Sequence, residues 1–331
     1  MKARTQFPKE EILDPDLAIL DAHHHLFDRP HLRYMLGDYL EDVNAGHKVI
    51  GTVYVETQAF ARTDGPQALR PVGEVAFANG VADTMSDNPQ ESCRVAAGIV
   101  GYADLTLGDA VAATLDASMA TAPERFRGVR QIAIAHPDPQ ALRFLTHRPP
   151  ADLLKSPNFR AAYRHLAPRG LSFDATVLHH QLPELAQLAD DFPETQIVLN
   201  HAGLAMAMGS SAQVRQEVFL DWQAHLKALA RRPNVACKVS GFGTTYWGFG
   251  FHERNDPIGY LELATSWKPY VLAAIDVFGT ERCMMASNFP NDGRSCGFVP
   301  LWNAMKYLVR SYSGQEKAAL FRGTAQKIYR L

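Results

Sequence analysis

Three consecutive histidines, His23, His24 and His25, follow a short apolar run, Ala18-Ile19-Leu20-Asp21-Ala22. That run reads as a β-strand, in which alternate side chains point to the same side. His23 and His25 therefore project together from its end, and His24 points away. Two imidazoles at i, i+2 on one face make half of a divalent-metal site or a pair of catalytic groups. Strand residues and a turn flank them, unlike the linker that would flank an affinity tag. Further polar groups end later apolar runs: Glu56, His180, His201 and Asn288. Arg130 and Lys238 stand inside two others.

Eight apolar runs supply these groups, ending at His25 and spanning 49–57, 93–101, 126–133, 171–178, 196–203, 234–241 and 283–290. Helical patterns separate them, as in 66–85, 110–119, 158–167, 182–192 and 213–231, and two helices close the chain. Alternating strands and helices imply a parallel sheet with crossover helices, and eight strands close an α/β barrel of the (β/α)8 type. We expect a single domain over residues 1–331. A doubly wound sheet would place a Gly-rich phosphate turn after the first strand, where this chain has histidines. Active sites of such barrels lie at the C-terminal strand ends, so four histidines meet at one rim. The proline-rich segment 137–157 reads as an excursion over that rim. The Gly- and aromatic-rich stretch 242–260 is a ring-lined lid carrying Tyr246 and His252, or an aromatic seal on the barrel.

Composition narrows the class. The chain has 331 residues, 47% of them hydrophobic, and a formal net charge of −2. Neither nucleic acid nor an anionic membrane surface is an expected partner. No apolar run reaches membrane-spanning length, and the N-terminus lacks an apolar signal region, so a cytoplasmic protein acting on a small molecule is expected. A homo-oligomer is compatible with this. The four cysteines form no CxxC pair, and three of them sit in or beside apolar strand-like runs and read as buried thiols.

Asp21-Ala22-His23-His24-His25, Val177-Leu178-His179-His180-Gln181, Leu199-Asn200-His201-Ala202-Gly203 and Ala286-Ser287-Asn288-Phe289-Pro290 together resemble the motifs of the amidohydrolase superfamily. The likeness is to its amidohydrolase-2 branch, which includes sugar lactonases, 2-pyrone-4,6-dicarboxylate lactonase and decarboxylases. The resemblance implies one divalent ion, Zn or Mn, on His23, His25 and His180, with His201 a further ligand or proton shuttle. The family's strand-eight aspartate is here Asn288, which leaves a metal-free chemistry open. Asp292 supplies the missing carboxylate only if its loop folds back. Arg130 replaces the strand-four lysine of the dinuclear members. Its planar fork suits a substrate carboxylate, or it plugs the barrel in an ion pair with Glu56. Lys238 is a carboxylate partner, an oxyanion stabiliser or a paired interior lysine. The expected reaction is hydrolysis of a lactone of a small polar or carboxylated substrate. The alternatives are decarboxylation of a small unsaturated or aromatic acid and non-catalytic binding of a small molecule.

Overall fold

The computed structural model describes residues 9–86, 93–145 and 147–331. β1 (Ile19–His24) leads into an antiparallel hairpin, β2 (Phe27–Arg29) and β3 (Leu32–Tyr34), and then α1 (Leu36–Val43). Strand and helix then alternate: β4 (Val49–Val55), α2 (Val72–Ser86), β5 (Arg94–Gly101), α3 (Val111–Thr121) and β6 (Phe126–Ile132). α4 (Pro157–Tyr163), β7 (Ser172–Thr176), α5 (Leu182–Asp191) and β8 (Ile197–Leu199) follow. Next come α6 (Ala212–Leu229), β9 (Val235–Val239), α7 (Tyr260–Phe278) and β10 (Cys283–Met285). Three helices finish the chain, α8 (Phe298–Leu308), α9 (Gly314–Ala318) and α10 (Thr324–Tyr329).

β1 and β4 to β10 form one eight-stranded parallel sheet in sequence order. Its edges meet where β1 ends. The His25 N–H donates to Phe289 O at 2.8 Å, and the Asn288 N–H donates to His23 O at 2.9 Å. The sheet is a (β/α)8 barrel, and its closing seam carries the first-strand histidines beside Asn288. Asp21 clamps that seam, accepting from the Ser287 N–H at 2.8 Å, the Ser287 hydroxyl at 2.5 Å and the Tyr39 hydroxyl at 2.9 Å. These bonds satisfy a carboxylate that burial would otherwise leave costly, although burial still raises its pKa.

Two apolar layers follow from the strand alternation. Tyr54, Phe173, Trp222 and Trp267 belong to the outer layer, between sheet and helices. Leu20, Val53, Val100, Val198 and Met284 point into the barrel, where Ala325 and Tyr329 of α10 join them. The hairpin at 27–34 and α1 fill the stretch between the first two barrel strands. α4 stops at Tyr163, short of the Ala167 expected, and a 3-10 turn at Ala167–Arg169 carries the chain to Gly170 in the left-handed region. Among the described residues no helix is long and apolar enough to cross a membrane.

Candidate active site

The pairing of β1 with β4 is irregular between Asp21 and His24, at the histidine run. His23 and His25 still share one side, with their Nε2 atoms 3.1 Å apart. His24 faces the other way, stacked on Tyr39 with ring centroids 4.2 Å apart. Its Nε2 pairs with the Thr52 hydroxyl at 3.0 Å, and burial pushes its pKa down to about 3.

Lys238 on β9 is fully buried inside the barrel and does not line the cleft. Its ammonium donates to Asp174 Oδ2 on β7 at 2.7 Å and to His23 Nδ1 at 3.3 Å. The Tyr329 hydroxyl donates to the same carboxylate at 2.9 Å. Of the readings open for Lys238, the geometry is that of a paired interior lysine. Burial lowers the lysine pKa, and the Asp174 carboxylate opposes that. The donors assign the imidazole tautomers. His23 accepts at Nδ1, so its N–H is on Nε2 and is donated to His25 Nε2. His25 donates its own Nδ1–H to Val55 O at 2.8 Å. Burial holds both rings well below the ordinary imidazole pKa, reinforced at His23 by Lys238 and at His25 by Arg130.

β8 is shorter than the apolar run suggested, because His201 and Ala202 take left-handed backbone with φ of 55° and 49°. That turn sets the His201 ring 4.6 Å from the His23 ring and its Nδ1 3.0 Å from the Ser240 hydroxyl. Gly241 makes the approach possible: a Cβ there would stand 2.6 Å from the imidazole, and its φ is +73°. Burial, then Arg130 and Lys238, holds His201 neutral.

The loop after β10 does fold back, but Asp292 stays behind Asn288 and does not line the cleft. The Asn288 amide donates to Asp292 Oδ1 at 2.7 Å, and the Gly243 N–H donates to Oδ2 at 2.9 Å. This fixes the amide's orientation. Asn288 Oδ1 is buried without a partner among the described residues. Burial pushes the Asp292 carboxyl up to about 7.

Above these groups opens a cleft of about 970 Å³, lined by His25, Glu56, Arg130, His201 and Asn288 among others. Arg130 makes the expected ion pair with Glu56, its Nε donating to Oε1 at 2.7 Å, and it also lines the cleft. Residues 143–145 and 147–150 supply one wall, and 243–246 with His252 another. The Tyr246 hydroxyl donates to Ala141 O at 2.8 Å, tying the two walls together. Burial raises its pKa to about 12.

His180 is not part of this group. β7 ends at Thr176, and His179–Gln181 form a 3-10 turn that runs into α5. Strand alternation does not extend through that turn. His180 is exposed, with its Nε2 3.0 Å from Ala135 O, and His179 is the buried member of the pair. Pro183, suited to the first helical turn, was the sequence signal that the strand had already ended. Thr176, which lines the cleft at the end of β7, went unnoticed in the sequence, as did Asp174 and Tyr329.

The donor set does not fit a divalent ion. A histidine ligand needs a bare nitrogen toward the metal and a donated proton on the other side. Lys238 imposes the reverse on His23, placing its proton on Nε2, and among the described residues no carboxylate replaces the displaced His180. Among the described residues no group of three His, Cys, Asp or Glu side chains is placed to share an ion.

The chain matches the amidohydrolase family model over residues 20–331. It is 32% identical to an uncharacterised protein of Sinorhizobium fredii, covering 96% of this chain and 99% of that one. It is 30% identical to the L-fucono-1,5-lactonase of Burkholderia ambifaria, covering 82% of this chain and 87% of the relative. Among solved structures, an amidohydrolase of Burkholderia multivorans with bound HEPES superposes with a TM-score of 0.71. It is 24% identical, and the match covers 95% of this chain and 99% of that one. A second crystal form of a B. multivorans amidohydrolase, with zinc bound, has the same TM-score at 23% identity and the same coverage.

Proposed function

Because the chain belongs to the amidohydrolase family, we propose that it is a hydrolase that opens a lactone of a small polar or carboxylated substrate. Likeness to an L-fucono-1,5-lactonase over most of both chains supports the reaction type. The observation that carries the reading is the meeting of His201, Arg130 and an Asn288 carbonyl without a partner on one cleft.

With its Nδ1–H donated to Ser240, His201 presents a neutral Nε2 as general base. Water adds to the lactone carbonyl carbon and gives a proton to that nitrogen. Asn288 Oδ1, aimed by Asp292, accepts a hydrogen bond from the same water. Charge developing on the carbonyl oxygen lies against the Arg130 guanidinium, which Glu56 holds in place. The ring C–O bond then breaks, and its oxygen takes the proton back from His201. One water is consumed and one hydroxy acid forms. A lactone is activated relative to an amide, so these groups suffice without Lewis-acid help.

The test is a panel of lactones followed by acid release, with CO2 release followed in parallel on small aromatic acids. His201→Ala is expected to lower kcat/KM about 10²-fold or more on any lactone that is opened. CO2 release without lactone opening would replace the reading by decarboxylation. Failure to turn over any compound, with binding intact, would replace it by a binding protein.

A further inference from the structure

The charge balance of the cleft differs from that of the chain. Overall the chain carries a slight excess of acid. The cleft lining holds five arginines and two carboxylates, Glu56 and Asp104. Both carboxylates are engaged. Glu56 holds Arg130, and Asp104 accepts from the Thr106 N–H at 3.0 Å and the Thr106 hydroxyl at 2.6 Å. The charge of Arg130, deep in the cleft, is therefore largely offset. Of the other four, Arg29 donates to Thr57 O, and Arg143, Arg148 and Arg294 place their charge at the mouth. All three are exposed, and among the described residues none has a carboxylate within ion-pair distance.

Their placement is not that of scattered surface charge. Arg143 and Arg148 lie on the loop after β6 and Arg294 on the loop after β10. These are the fourth and eighth strands of the sheet, facing each other across a closed barrel. The Arg143 guanidinium lies over the Phe144 ring at 4.7 Å, and that ring packs edge-on to Tyr246, 6.1 Å away. The aromatic wall of the cleft thus tethers the charge at its entrance.

Resting on the lactone reading, we propose that the mouth is an anion subsite and that the substrate is an anionic lactone. Its carboxylate or phosphate is held by Arg143, Arg148 and Arg294, remote from the reacting carbonyl, and not by Arg130. Planar guanidinium forks suit both anions, and opposed cations around a low-dielectric cleft draw such a ligand in.

The experiment compares D-glucono-1,5-lactone with its 6-carboxylate and 6-phosphate counterparts, on wild type and on the triple variant R143Q/R148Q/R294Q. The three positions are exposed, so the variant is expected to fold normally. We expect the charged lactones to be preferred in wild type. The variant should raise their KM about tenfold more than it raises that of the neutral lactone, with kcat on the charged lactones within about twofold. Salt at about 0.5 M should reproduce the effect in wild type. Whichever counterpart gains more identifies the anion. In parallel, calorimetry with glucuronate, glucose 6-phosphate and neutral glucose, which carry the anion at C6 or not at all and have no lactone to open, reads the subsite without turnover. Anion binding that the triple variant loses, with no lactone opened, would sustain the subsite and refute only the activity. Equal use and equal binding of charged and neutral compounds, unchanged in the variant, would overturn the proposal.

Discussion

Replacing Lys238 by Met tests the interior network and the tautomer argument together. Lys238 and Asp174 are both fully buried, their charged atoms are 2.7 Å apart, and the remaining Asp174 partners are the neutral hydroxyls of Tyr329 and Ser172. The thioether fills much of the lysine's volume but strands a carboxylate in the barrel. Breaking a buried pair from one side costs about 3–5 kcal/mol, because the remaining charge loses its partner while staying desolvated. Removing both charges, in K238M/D174N, leaves an amide that still accepts from Tyr329. It should therefore cost less than K238M alone. Urea unfolding of wild type, both single variants and the double variant at pH 7.5 gives the coupling directly. The same variant frees His23 Nδ1 from its donor, so the proton can leave Nε2. K238M should then bind zinc more tightly than wild type in a calorimetric titration. A K238M protein within about 1 kcal/mol of wild type, or strictly additive single variants, would refute the ion-pair reasoning. Zinc affinity equal to that of wild type would refute the claim that Lys238 sets the histidine tautomers.

Two further expectations follow from the same geometry. Asp292 holds its proton more tightly in the folded chain, with its pKa up to about 7, than at the ordinary value of 3.8. Its contribution to stability is therefore fully present below pH 3.8, falls as pH rises toward 7 and is constant above. The change amounts to about 4 kcal/mol. Asp292→Asn keeps the Gly243 contact and lets Asn288 turn its unpartnered carbonyl toward the new amide, so the variant should lose that slope and exceed wild type in stability at pH 8. Parallel urea midpoints for the two proteins from pH 4.5 to 8 would count against this. Dialysis against a strong chelator should leave lactone opening within about twofold of the untreated protein. Activity lost on chelation and restored by zinc would show that the His23 proton assignment is wrong.

The parts of the molecule that could be read in the sequence are those governed by local periodicity. β1 places His23 and His25 on one side and His24 on the other because the two-residue repeat persists through its irregular pairing. Arg130 and Lys238 stand inside strands and point inward by the same rule. The repeat fails where the backbone leaves the extended region. At His180 the chain has already entered the turn before α5, so counting on from the strand points His180 at a cleft that neither it nor His179 lines. At His201 the opposite holds. The left-handed turn ends β8 early, yet it aims the imidazole at the cleft because Gly241 leaves room for the ring. The interior network lay further out of reach. Tyr329 sits 155 positions from Asp174, and only closure of the barrel with α10 packed into it makes them neighbours. Asp174 alone gave a hint, since a charged residue within a buried apolar strand must find a partner. The identity of that partner decides the chemistry. Had the group beside His23 Nδ1 been an acceptor such as Asp174, the histidine pair would offer two bare Nε2 atoms suited to an ion. With the Lys238 ammonium there instead, His23 keeps its proton on Nε2 and the pair is joined by a hydrogen bond.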